Sequence, residues 1–333
     1  MDDISNFKEW LAKERELAPE NIEESVKIVL EFKDFLKKKG KDVSQIKSDD
    51  FFEFSNILIV ESRNTEANYV ALVRYGVVTK NTTLIKLGIE VLDGTEVMPN
   101  LYKRLKKEFS KEFRDEIFEG TELPPLGIDP KIKPNYTKKL ISRLQEKTDE
   151  KTCEKFLAKG LRDSYYQSRR FDRYKFLKAK NIDDFLKQIR ERHLNELEKH
   201  KNEGTLYYTQ EVNDEVLEYA QKTPTIEGGV REGNILRVTK IPYQTIQYLN
   251  ATDSKMKAYS YCHCPWVREA ILDGTADEIP TVFCNCSGGY YKAYWEIVLK
   301  QPIEVDTVKT VLKGDPFCEF HVHLPEEIVK NLE

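Results

Sequence analysis

Four cysteines in the last third of this chain form two Cys-x-Cys pairs, Cys262 with Cys264 and Cys284 with Cys286, and a fifth, Cys318, follows on the far limb of an expected hairpin. Both pairs end runs that read as strands, 257–264 and 279–286. Residues two apart on a strand share a face, so each pair would point two sulfurs the same way, and adjacent strands would gather four thiols. Such a cluster can hold zinc in tetrahedral geometry at about 2.3 Å per sulfur. It can also bind an iron–sulfur cluster or close a cross-strand redox disulfide. Pro265 and Ser287-Gly288-Gly289 would permit the bend that a single ion needs. The same residues fit an inert core, since free cysteines pack as small hydrophobes.

If the thiols are catalytic, Cys262 and Cys284 are the candidate nucleophiles and His263 the candidate base. In a regular strand His263 would face away from its neighbours' sulfurs, so the turn at Pro265 would have to swing it round. Tyr290, Tyr291, Tyr294 and Trp295 crowd one expected helix just after the second pair. With Trp266 they suit the wall of an aromatic pocket, where Arg268 and Glu296 would orient a ligand through polar contacts. A hydrophobic core needs the same pattern. In the last strand Cys318, Phe320, Val322 and Leu324 share an apolar face, while Phe317, Glu319, His321 and His323 share the other, expected to be solvated.

The elements that must position these groups begin far upstream. A chain of 333 residues suggests two or three domains. With 40% hydrophobic and 33% charged residues it reads as a soluble, helix-rich globular protein, with no apolar run of the roughly 20 residues that span a bilayer. The acidic N-terminus carries no secretory signal, so the cytoplasm is the expected compartment, where thiols stay reduced. Residues 1–120 read as a helical domain, with Phe7 and Leu11, then Val26 to Leu36, at helical spacing. Pro19 starts a helix, Gly40 stops it and Ser48 is the expected cap of the next. Residues 121–135 read as a proline-rich linker. Residues 136–204 read as a basic helical segment; from 131 to 203 there are 21 basic and 12 acidic side chains. Its run 165–174 interleaves arginines with aromatics, as a nucleic-acid surface would. An amphipathic helix with its aromatics in the core is the favoured reading.

Residues 205–333 change texture. Strands are expected over 205–212, 235–240, 257–264, 281–286, 303–312 and 317–324, with helices over 215–221, 266–272 and 289–299. The result is an α+β fold, in which a helical N-terminal part precedes a mainly antiparallel sheet with flanking helices. Gly228-Gly229-Val230-Arg231-Glu232-Gly233 lacks a strand-to-helix setting, so no nucleotide cofactor is expected.

Three resemblances add to this reading. The helices of the first 100 residues resemble the core-binding domain of tyrosine recombinases, without that family's catalytic set downstream, which implies a helical docking or oligomerisation module. The run Gly289-Tyr290, then Gln301-Pro302-Ile303-Glu304-Val305, Thr310 and 314–320 resembles the end of the four-vinyl-reductase type of ligand-binding domain. Together with Cys262-His263-Cys264-Pro265-Trp266 and the second pair, it is also similar to amino-thiazoline-carboxylate hydrolase-like proteins and to an uncharacterised prokaryotic branch with that Cys-His-Cys-Pro-Trp feature. This similarity covers roughly residues 205–325. Aromatic sensors of the first group hold structural zinc partly through a Cys-x-x-Cys, and residues 310–313 here contain no cysteine. Zinc here would therefore draw on Cys262, Cys264, Cys284, Cys286 and Cys318.

The expected function is a small-molecule-binding sensor or accessory protein with a cysteine-rich pocket. The alternative is a cysteine-dependent hydrolase acting on a small C–N or C–S substrate. The expected partners are a small molecule and a second copy of the chain, with nucleic acid a third candidate and no membrane.

Overall fold

The computed structural model describes residues 2–162 and 166–330. They form an α+β fold divided into two compact units. The first comprises 1–95 and 123–133, the second 96–122 and 134–333.

The first unit is helical: Asp3–Glu14, Pro19–Lys38, Ser48–Val60, Glu66–Thr79 and Thr82–Leu92. Each buries an apolar stripe, and Phe7, Leu11, Phe32, Leu36, Leu58 and Leu72 make a sealed core. Pro19 opens its helix and Gly40, at φ +70°, lets the chain leave it. The cap at Ser48 is a residue off. Ser48 is already helical, and the Asp50 carboxylate instead accepts from the Lys47 amide at 3.2 Å. The expected linker is packed structure. Ser55 donates to the Gly127 carbonyl at 2.7 Å, Asn64 to that of Leu126 at 2.9 Å, and a Cβ on Gly127 would collide with the Tyr69 hydroxyl.

The second unit joins helices to a small sheet. Strands β1 (Val230–Glu232), β2 (Ile235–Thr239), β3 (Glu304–Lys309) and β4 (Glu319–His323) run antiparallel in the order β1-β2-β4-β3. Register is fixed by apolar pairing, Leu236 opposite Val322 and Val238 opposite Phe320. Trp295 and Val298 of the helix Asn285–Leu299, with Phe185 and Ile189 of the helix Ile182–Glu203, pack in the core cluster that includes Leu236, Val238 and Val322.

A larger core joins Tyr261, Trp266 and Phe283 to Leu140, Leu144 and Phe156, and to Val97, Leu101 and Leu105. The helices Val97–Glu108 and Lys111–Ile117 therefore belong with the cysteine-bearing part, not with the first 95 residues. The segment 136–204 is likewise no separate module, because its apolar faces are covered by the C-terminal elements.

Two expected strands are helical. Residues 254–261 form a helix capped by Asp253, which accepts from the Met256 amide at 2.8 Å, and the chain stays irregular through the first cysteine pair. After Pro280 a 3-10 turn, Thr281–Cys284, runs directly into the helix Asn285–Leu299. The expected strand over 205–212 reduces to a single bridge between Tyr207 and Gln210.

Candidate functional site

Because the cysteines do not lie on strands, a different geometry assembles them. Cys262 ends its helix in extended conformation, its amide donating to Ala258 at 3.0 Å. The Cys264 carbonyl accepts from Val267 and Arg268, so Cys264-Pro265-Trp266-Val267 is a turn into the helix Arg268–Asp273. Cys284 closes the 3-10 turn and Cys286 sits in the first turn of the next helix. Cys318 lies just before β4.

The Ser287-Gly288-Gly289 run is not the bend the sequence suggested. Both glycines are helical, and each removes a side chain that has no room: a Cβ on Gly288 would stand 2.8 Å from Thr307 Oγ1, and one on Gly289 2.7 Å from the Ala158 carbonyl oxygen. This close approach seats the second cysteine pair between β3 and the 158–160 backbone.

The thiols sense one another electrostatically. Burial pushes Cys262 up, with Cys264 and Cys318 adding to it. Burial also pushes Cys284 well up, helped by Cys318, Cys262 and Cys264. Cys286 rises to about 11 through burial, against the pull of Arg162. Cys318 is raised by burial, although the Val311 amide and Lys240 oppose this. Cys153, pushed up to about 11 by burial, has Thr148, Glu154 and Asp149 as its neighbours and stands apart from the group. Among the described residues no three His, Cys, Asp or Glu side chains are placed to hold one metal ion.

Cations surround the thiols, which sequence reasoning missed because their carriers are scattered along the chain. Arg162 places Nη2 3.9 Å from Cys264 Sγ. Lys240, one residue past β2, holds Nζ 3.2 Å from Ser287 Oγ. Arg268 is buried with its guanidinium 4.3 Å from the Tyr243 ring centre and 5.2 Å from that of Tyr259. It is a stacked cation.

His263 is turned onto the backbone, its Nε2 2.6 Å from the Ile241 carbonyl oxygen. A carbonyl only accepts, so Nε2 carries the proton. Burial, then the charges of Lys240, Arg162 and Arg268, push His263 down to about 3. It is neutral near pH 7 and a weak base.

The expected pocket wall divides. Trp266 and Trp295, both 2% exposed, are core residues, because their neighbours in the two large clusters leave them no open face. Glu296 accepts from Lys292 at 3.0 Å and from the Ile303 amide at 3.4 Å, so it fastens the helix to the chain entering β3. Tyr290, Tyr291 and Tyr294 remain partly accessible. The Tyr294 hydroxyl donates to Asp172 at 3.0 Å, and the Tyr291 ring lies 4.9 Å from that of Phe320. His321 and His323 pair with Glu319 at 2.8 Å and Asp306 at 2.7 Å, on the outer sheet face.

The basic helix also differs from expectation. Tyr165 lies outside the described residues. Further along, Phe171 and Tyr174 are exposed, with Lys175 and Lys178 lying over their rings, while Phe176 packs inward. The helix turns this way because Asp172 is buried, bonded to Arg192 and Tyr294, and Arg173 donates to the Val298 carbonyl.

No family model matches the chain, and neither a curated protein nor a solved structure shows significant similarity to it. No helix among the described residues is long and apolar enough to cross a membrane.

Proposed function

We propose that the second unit binds a small molecule in a cleft walled by Cys264, Cys284, Cys318, His263, Lys240 and Tyr291, and that the protein acts as a sensor or accessory module in the cytoplasm. One observation carries this reading. His263, Cys284, Cys318 and Tyr291 all have their charged forms disfavoured by surrounding protein, yet each keeps surface open to solvent. Groups enclosed on most sides but still reachable line a concavity. An aromatic wall with convergent polar groups is the usual make-up of a ligand site.

Native mass spectrometry of anaerobically purified protein tests it. A bound mass released on mild denaturation, and reduced when Tyr291→Ala and Lys240→Ala are combined, is expected. A bare chain that also binds nothing from a fragment set would end the reading. Zinc taken up by the thiols is a second reading, favoured by the mutual influence of Cys262, Cys264, Cys284 and Cys318 and requiring their side chains to rotate toward one centre. Elemental analysis of the same sample decides it.

Hydrolysis by a cysteine, the alternative, draws support from the Arg162 guanidinium beside Cys264. That contact favours Cys264 over Cys262 and Cys284 as nucleophile. A base other than His263 would be required.

A further inference from the structure

The helix Tyr166–Lys178 is fastened along one side. Asp172 accepts from Arg192 at 2.5 and 3.1 Å and from the Tyr294 hydroxyl at 3.0 Å, and Arg173 donates to the Val298 carbonyl at 2.6 Å. The Phe176 ring lies 5.4 Å from that of Phe185. These contacts fix the rotation of the helix about its axis, so the opposite side is held outward. There Phe171, Tyr174 and Leu177 are 59%, 54% and 64% exposed. Single exposed apolar residues are ordinary, but three on one face make a patch.

The residues between them set its chemistry. At about 3.6 residues per turn the order round this face is Phe171, Lys178, Tyr174, Arg170 and Leu177, with Lys175 on the flank beside Phe171. Lys175 Nζ lies 4.6 Å from the Phe171 ring centre and Lys178 Nζ 4.2 Å from that of Tyr174. Asp172, the one carboxylate of the helix, is on the buried side and paired with Arg192. The face therefore presents three cations and no acid, which selects a polyanion.

The interleaving decides which polyanion. A helix that lies on a membrane keeps its apolar and cationic residues on separate faces, so that the rings enter lipid while the charges stay among headgroups. Here cations and rings share one face, and inserting the rings would carry the ammoniums down with them. A single-stranded nucleic acid matches the mixture, since each base has an open π-face and a phosphate nearby. An exposed ammonium–ring contact is worth less than a base stacked on the same ring, so the base takes the ring and the lysine is left at the phosphate. A duplex keeps its base faces stacked and offers this surface phosphates alone.

We propose that Phe171 and Tyr174, with Arg170, Lys175 and Lys178, form a surface that binds single-stranded nucleic acid by base stacking and phosphate contact, without reading sequence.

Fluorescence anisotropy on the full chain tests it, with labelled oligothymidine and oligouridine of about 15 nucleotides and a duplex of the same length. Both single strands are expected to bind more tightly than the duplex, and a preference between them names DNA or RNA as the polymer. With three phosphates contacted, affinity should fall about 20-fold between about 50 and 200 mM salt. Phe171→Ala combined with Tyr174→Ala should weaken binding at least tenfold and leave the salt slope unchanged, whereas Lys175→Gln with Lys178→Gln should cut the slope to about a third. Duplex binding as tight as single-strand binding, or full affinity in the double ring variant, would overturn the proposal. So would no oligonucleotide binding at about 50 mM salt; capture of the same sample by phosphatidylserine-containing vesicles, lost in the ring variant, would then assign the face to a membrane. Because both rings are exposed, the ring variant should keep its thermal midpoint, and a fall of several degrees would show a structural role instead.

Discussion

Arg162 Nη2 lies 3.9 Å from the sulfur of Cys264, bringing together two residues 102 positions apart in the chain. The same guanidinium pulls on Cys286, but that thiol is buried, whereas Cys264 is partly exposed and is therefore both beside the cation and within reach of a reagent. A cation beside a sulfur favours its reactive thiolate. At pH 7.5 Cys264 is therefore expected to alkylate first with iodoacetamide, and Arg162→Gln to slow it by about three- to tenfold. Peptide mapping after short exposures checks this; faster labelling of Cys284 or Cys262 would refute it.

The glycines of the helix Asn285–Leu299 should rank by what they touch. A methyl group at Gly289 would meet backbone, at the Ala158 carbonyl and the Gly160 amide, neither of which can rotate away. At Gly288 the obstacle is the Thr307 hydroxyl, a movable side chain. Gly289→Ala is expected to cost about 1–3 kcal/mol, the usual range for overpacking, and Gly288→Ala less. Urea denaturation of both variants measures the order.

Stability of the first unit should fall in acid through Asp50. Hydrogen bonds from Lys39 and Lys41 hold this 2%-exposed carboxyl at about 2, below its ordinary 3.8. A depressed folded value means that the contribution is complete above about pH 4 and is lost as pH falls through about 2. Both lysines reach solvent, so screening reduces the worth of the cluster to about 1 kcal/mol. Amide exchange across residues 48–60 should accelerate over that window in the native chain; Asp50→Asn should flatten the dependence.

Trp266 and Trp295 should behave as core reporters. Both are 2% exposed, and the Trp266 carbonyl accepts from Thr137 at 2.8 Å. Their emission is expected to be blue-shifted and resistant to acrylamide, and Trp266→Ala to cost about 3–5 kcal/mol. Efficient quenching of either indole would return it to the pocket wall.

The sequence by itself determined the helical first unit, because amphipathic spacing such as Phe7 to Leu11 and Val26 to Leu36 has one stable outcome. It also determined strands β2 and β4, whose alternation puts Phe320, Val322 and Leu324 in the core. It concentrated the thiols in one region, but not on the right elements. Short apolar runs such as 257–264 and 279–286 carry no decisive period, and tertiary packing of Tyr261 and Phe283 into the large core made helices and turns of them. Glycines 288 and 289, read as a bend, prove to be contact points, a distinction that depends on what lies across from them. Arg162 and Lys240 had no motif to announce them. They come from different elements, so only the folded chain could bring these charges to the cysteines.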